Sequence, residues 1–183
     1  MNRRTALAMT TTALLYSAVG LSASDSLAQQ KPLQKSLKEQ LVGVWTIVSW
    51  EQMNKDGSKF HRFGANPMGV HVFDANGRFF IQFARPDLPK FAANDPMKAT
   101  EEENKAVMEG SVAYHGNYSV NEADRTIILH AEVSSFPNQV GIDQKRIISF
   151  ITANELKYSN SVPLMAGGQI QIVFRRATTF ASK

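Results

Sequence analysis

The chain has 183 residues, 43% of them hydrophobic and 20% charged, with a formal net charge of +4. Such a composition excludes a disordered chain and one embedded in a bilayer, and it leaves room for one domain around a single core. Setting aside residues 1–28, with Arg3, Arg4 and Asp25, lowers the surplus to +3, too little and too scattered for nucleic-acid binding. The absence of cysteine excludes disulfides and a lipid-modified cysteine alike.

Arg3-Arg4, the mostly apolar stretch 6–23 and Ser26-Leu27-Ala28 read as a signal peptide cleaved after Ala28. The mature protein is therefore expected to be exported, periplasmic or secreted. The apolar stretch approaches bilayer-spanning length, but Thr10-Thr11-Thr12, Ser17 and Gly20 dilute it, so no stable membrane insertion is expected after cleavage. Both a twin-arginine and an ordinary export route fit Arg3-Arg4. Residues 29–40 form either a linker or a short helix, with Leu33, Leu37 and Leu41 spaced by four. The folded domain is expected over 41–178, with a tail at 179–183.

The run 41–51 is rich in β-branched and aromatic residues and opens the domain as a strand, ended by the turn Lys55-Asp56-Gly57. Strands at 69–73 and 78–84 form a hairpin around Asp74-Ala75-Asn76-Gly77, whose residues tolerate positive φ. Arg85-Pro86-Asp87-Leu88-Pro89 leaves the sheet, since proline cannot donate to a ladder, and Arg85 braces that loop. Thr100-Glu101-Glu102-Glu103 has capping-box spacing and starts a helix that stops at Gly110 and covers one barrel mouth or side. Strands at 111–120, 126–134, 144–151, 155–160 and 169–176 follow, separated by segments of turn composition such as Ala166-Gly167-Gly168. Eight short strands with hairpin-length connections favour closure into an all-β antiparallel barrel, which removes exposed edges. Barrels of this size commonly hold a small molecule.

Alternation in 126–134 puts Ile127, Leu129, Ala131 and Val133 on one face and His130 and Glu132 on the other. Gln144 and Arg146 share a face of the next strand, and Tyr114 and Tyr118 share a face of the preceding one. Converging from adjacent strands, these six polar residues would form one site. An arginine among tyrosines and a histidine suits an enolate, phenolate or carboxylate, because the guanidinium stays charged and donates in a fixed fork. Alternation alone leaves open which face lines the interior. Phe79, Phe80, Phe83 and Phe136 read as core residues. No Gly-x-Ser-x-Gly elbow or phosphate-binding loop occurs. His61, His71, His115 and His130 lack a close histidine partner, so neither a metal nor a cofactor is expected.

Gly43-x-Trp45, Asn66-Pro67-Met68-Gly69, Gly110-x-x-Ala113-Tyr114-x-Gly116-x-Tyr118, His130-x-Glu132-x-Ser134, Phe136-Pro137-Asn138-x-x-Gly141 and Gln144-x-Arg146 together resemble the bacterial and fungal lipocalin-like domain family. The resemblance spans roughly 41–176. It implies an eight-to-ten-stranded calycin-type barrel, to which the capped helix adds one short cover, and it adds Asn138 to the ligand-binding set. It also implies a basic residue of the last strand, Arg175 or Arg176, over the face of Trp45. Most members have no established activity, while some barrels of this class in natural-product pathways are associated with isomerisation or cyclisation. The expected function is binding of a small, mainly apolar molecule with a polar or anionic group, held by Arg146, Gln144, Tyr114, Tyr118 and Asn138. The alternative is an isomerase or cyclase with His130 as general acid/base, Glu132 orienting its ring and Arg146 stabilising an oxyanion.

Overall fold

A computed structural model describes residues 35–160 and 169–178; the expected signal peptide, the Ala166-Gly167-Gly168 turn and the tail lie outside them. Among the described residues, β1 (Gly43–Met53), β2 (Lys59–Phe60), β3 (Met68–Phe73), β4 (Arg78–Ala84), β5 (Ser111–Asn121), β6 (Thr126–Ser134), β7 (Asp143–Ile151), β8 (Glu155–Asn160) and β9 (Gln169–Arg176) form one antiparallel sheet. The strand order is β2-β1-β3-β4-β5-β6-β7-β8-β9, and β9 pairs back onto β1. Closure thus joins eight strands, while the two-residue β2 is a side arm on the end of β1. Every long strand agrees with the sequence reading to within two residues; β2 carries too short a pattern to be predicted.

Alternation builds the core from inward rows such as Phe79, Ile81 and Phe83 of β4 and Ile170, Ile172 and Phe174 of β9. The ladders skip Val48, Glu132 and Ser149, one extra residue in each of three strands. The bulge at Glu132 turns Val133 outward, so Val133 does not share the core face of Ala131, contrary to simple alternation. At that bulge the chains approach closely: a Cβ on Gly116 would lie 1.9 Å from the His130 carbonyl oxygen.

The two ends of the barrel differ. At one end the connections 74–77, 122–125 and 152–154 are short, and helix α1 (Leu37–Leu41) buries Leu37 and Leu41 beneath them. The Glu122 carboxylate accepts the amides of Leu37 and Lys38 at 2.7 and 3.1 Å, satisfying donors that the first turn leaves free. Arg176 lies 4.0 Å from the ring centroid of Trp45 and donates to the carbonyls of Val42 and Gln40, which resolves the choice between the two arginines. The Trp45 indole donates to the Leu41 carbonyl at 2.7 Å. This end is sealed.

The other end is reached, among the described residues, by the longer connections 54–67, 85–110 and 135–142. Helix α2 (Glu101–Gly110) starts at the predicted capping box, where the Thr100 hydroxyl accepts the Glu103 amide and the Glu103 carboxylate accepts the Thr100 amide. Its last residue is packed under the loop, since a Cβ on Gly110 would displace the Leu88 and Arg85 side chains, which it would meet below 3.0 Å. Arg85 braces its loop through a bidentate pair with Asp87.

Candidate functional site at the loop-covered end

Register decides which polar residues meet. In the β6–β7 ladder, Leu129 pairs with Gln144 and Ile127 with Arg146, and cross-strand partners share a face. Gln144 and Arg146 therefore point inward with the apolar row of β6, and His130 and Glu132 point outward. The sequence reading joined two opposite faces and is corrected here. His130 Nδ1 lies 2.8 Å from Asp143 on the outer surface, and Glu132 pairs with Arg78 at 2.8 Å and accepts from Asn117. Neither approaches Arg146, so the acid–base arrangement expected of His130 and Glu132 is not assembled.

Tyr114 and Tyr118 both point inward but serve different ends. Tyr114 receives a hydrogen bond from Arg146 at 3.3 Å, whereas the Tyr118 hydroxyl donates to the Asp74 carbonyl at the sealed end, away from the ligand-binding set expected of it. Asn138 is exposed in the turn Pro137–Gln139; its neighbour Gln139 is the buried one, and accepts from Ser134 at 3.0 Å. The expected set thus reduces to Arg146, Gln144 and Tyr114, joined by Gln139 and Asn160.

Arg146 is 3% exposed. Its guanidinium donates to Gln144 Oε1 at 2.7 Å, to Tyr114 at 3.3 Å and to its neighbour's carbonyl at 3.3 Å. Among the described residues no carboxylate pairs with it, and the segment 161–168 contains no acidic residue. Among the described residues Arg146 Nε, Gln144 Nε2 and Asn160 Oδ1 are buried without partners, which leaves two donors and one acceptor unused there. Buried groups of this kind cost free energy until something binds them. A void of about 40 Å³ lies here between Arg146, Tyr114, Gln139 and Asn160 on one side and Trp50 and Phe63 on the other. It admits water, not a ring.

Deeper in the core, His71 Nδ1 lies 3.1 Å from the Tyr158 hydroxyl. Burial first, and then the charge of Arg146, push the His71 imidazolium well below the usual histidine range, so His71 is neutral near pH 7. Burial likewise pushes the Tyr158 phenol up and keeps it protonated. Arg146 is thus the cation in a neutral polar file. The sequence held a usable signal for Asn160, which ends the inward row Leu156, Tyr158, Asn160 and pairs with Arg146. It held none for Phe63 or Gln139, which lie in connections.

Phe60, His61, Arg62, Arg85, Met108 and Phe136 surround a second cleft of about 480 Å³, and Arg62 lines both it and the void. A groove of about 620 Å³ crosses the sealed end over Arg176, whose guanidinium is already taken up by backbone carbonyls.

The chain matches the lipocalin-like domain family over residues 42–181. It belongs to that family, and its barrel is of the calycin type. A 4'-hydroxy-3'-methoxypropiophenone carrier protein of Aspergillus oryzae is 30% identical over 93 residues, which cover 48% of this chain and 83% of that protein. Among solved structures, a redesigned β-barrel aligns with a TM-score of 0.41 and 10% identity over 78% of this chain and 96% of its own. A de novo designed fluorescence-activating β-barrel aligns with a TM-score of 0.41 and 12% identity over 79% of this chain and 100% of its own. Family and relative together point to binding of a small molecule.

Proposed function

We propose that this protein binds a small, mainly apolar molecule at the loop-covered end of the barrel and holds an acidic oxygen of that molecule on Arg146. One observation carries the reading: a guanidinium 3% exposed, without a carboxylate partner among the described residues, beside two unused donors and one unused acceptor. An oxyanion would take the Arg146 Nε proton, with Gln144 holding the guanidinium from behind the void, and a ligand hydroxyl would donate to Asn160. The apolar walls Trp50, Phe83, Ile170 and Ile172 would supply affinity at about 25 cal/mol per Å² buried, before ordering costs. A phenolic aryl ketone, the cargo named for the Aspergillus oryzae carrier, has this combination of ring and acidic oxygen. We further read the protein as working outside the cytoplasm, on the strength of residues 3–28 alone; among the described residues no helix is long and apolar enough to cross a membrane.

Calorimetric titration with benzoate and with 4'-hydroxy-3'-methoxypropiophenone tests the binding. Saturable uptake by the wild type, weakened about 10- to 100-fold in Arg146→Met, is expected from the loss of a charge-assisted hydrogen bond. Equal affinity in both proteins, or no uptake of either compound, would overturn the reading.

A further inference from the structure

The barrel already holds an aromatic ring where a ligand's ring would sit. Phe63 reaches the core from the connection between β2 and β3, 1% exposed, edge-on to Trp50 at 5.6 Å and to Phe83 at 5.9 Å. Only a water-sized void remains between it and the Arg146 cluster. Building on the function proposed above, we infer that Phe63 is a resident stand-in for the ligand. The ligand is a single flat aromatic ring bearing one acidic oxygen, and it binds by exchanging places with Phe63.

The segment that delivers Phe63 is built to let go. β2 contributes two pairs to the sheet, Gln52 with Phe60 and Met53 with Lys59. The segment is flanked by Gly57 and Gly64 at φ +83° and +75°, and a Cβ at either position would meet nothing within 4 Å. Glycine is required there by backbone conformation, not by crowding, as suits a connection that must re-fold locally. Beside Phe63, Arg62 stacks on its ring at 5.1 Å and donates to the carbonyls of Met108, Glu109 and Ser111. The Met108 and Glu109 carbonyls lie in the last turn of α2, where the helix dipole is negative, and Ser111 opens β5, so Arg62 latches the segment to the helix end. The second cleft offers the displaced ring a home: Phe60, Met108 and Phe136 line it and stay 48%, 48% and 40% exposed. Exchange would move Phe63 onto that apolar patch and leave its slot open toward Arg146.

Edge-to-face neighbours make the slot selective for flatness. Trp50 and Phe83 present to Phe63 the geometry that aromatic pairs prefer, and a puckered ring of similar size loses it. Benzoate should therefore bind more tightly than cyclohexanecarboxylate, which carries the same carboxylate.

Hydrogen exchange of the wild-type protein with and without saturating benzoate reads the exchange of rings directly. Faster exchange at the amides of residues 59–64 is expected as β2 detaches; slower exchange there would overturn the inference, since a ligand bound beside a seated Phe63 would protect them. Two variants read the same event through affinity for benzoate. Phe63→Ala, which has no ring to expel, should bind about 10- to 100-fold more tightly. Arg62→Gln, which changes no core side chain, should bind about 5- to 10-fold more tightly through loss of the latch. Arg146-dependent binding with unchanged affinity in both variants would refute the exchange and leave the proposed function standing. Failure of all three proteins to bind benzoate would remove both.

Discussion

Arg146→Met separates a site kept for binding from a residue kept for folding. In the unliganded protein the substitution removes a guanidinium whose effective burial cost is several kcal/mol. Against this stand one short hydrogen bond to Gln144 and two long ones at 3.3 Å, together worth about 2–4 kcal/mol with their charged donor. Methionine fills most of the volume and is tolerated in irregular cores. Replacing a buried ion pair whole by apolar residues of similar volume is commonly neutral or stabilising by about 1–4 kcal/mol. Arg146 has no ion partner among the described residues to strand, and the neutral Gln144 Oε1 and Tyr114 hydroxyl are the side-chain groups that lose a donor. The expected result is unchanged stability or a gain of about 1–2 kcal/mol, seen in urea unfolding as a higher midpoint at constant slope. In thermal unfolding a domain of this size should gain about 2–4 °C for each kcal/mol. Binding of benzoate should fall in the same variant, which is the pattern of a functional residue retained at the expense of stability. A loss of more than about 2 kcal/mol would refute the reasoning, because Arg146 would then hold the barrel together.

His130→Ala, on the outer face beside Asp143, should change stability by less than about 0.5 kcal/mol and leave benzoate affinity unaltered, as measured by urea unfolding and calorimetry. Arg176→Ala should destabilise by about 2–4 kcal/mol, through loss of the stacking on Trp45 and of the Val42 and Gln40 carbonyl contacts, and Arg176→Lys should not restore it. His71 is depressed in the folded state, so below its unfolded value of about 6.5 the unfolded chain binds the extra proton and stability falls as pH falls. Unfolding between pH 7 and 5 should show a loss of up to about 1.4 kcal/mol per pH unit that His71→Leu lacks; parallel pH profiles would contradict the assignment.

The barrel was readable because each strand carries its own signature. Thr126 to Ser134 alternates, Asp74-Ala75-Asn76-Gly77 makes a hairpin turn, and Thr100 with Glu103 starts a helix, all through contacts within a few residues. The site was half readable. Arg146, Gln144 and Tyr114 were found as a polar set, but period two divides a strand into faces without saying which is inside. Pairing supplies that answer: Leu129 opposite Gln144 sends His130 outward, and no local pattern in β6 encodes its partner in β7. Phe63 and Gln139 lie in connections whose course depends on what they dock against, Phe63 on Trp50 and Gln139 on Ser134. Asn138 and Gln139 differ by one position in a turn, and only the folded chain tells the buried one from the exposed one.

The most direct test of the account is the nitrogen-15 correlation signal of the Arg146 Nε proton, assigned by its loss in Arg146→Met and followed as benzoate is added. An anion held by this guanidinium should shift that proton downfield with the occupancy measured by calorimetry and slow its exchange with water. A signal that stays in place while benzoate saturates the protein would put the ligand elsewhere and contradict the account.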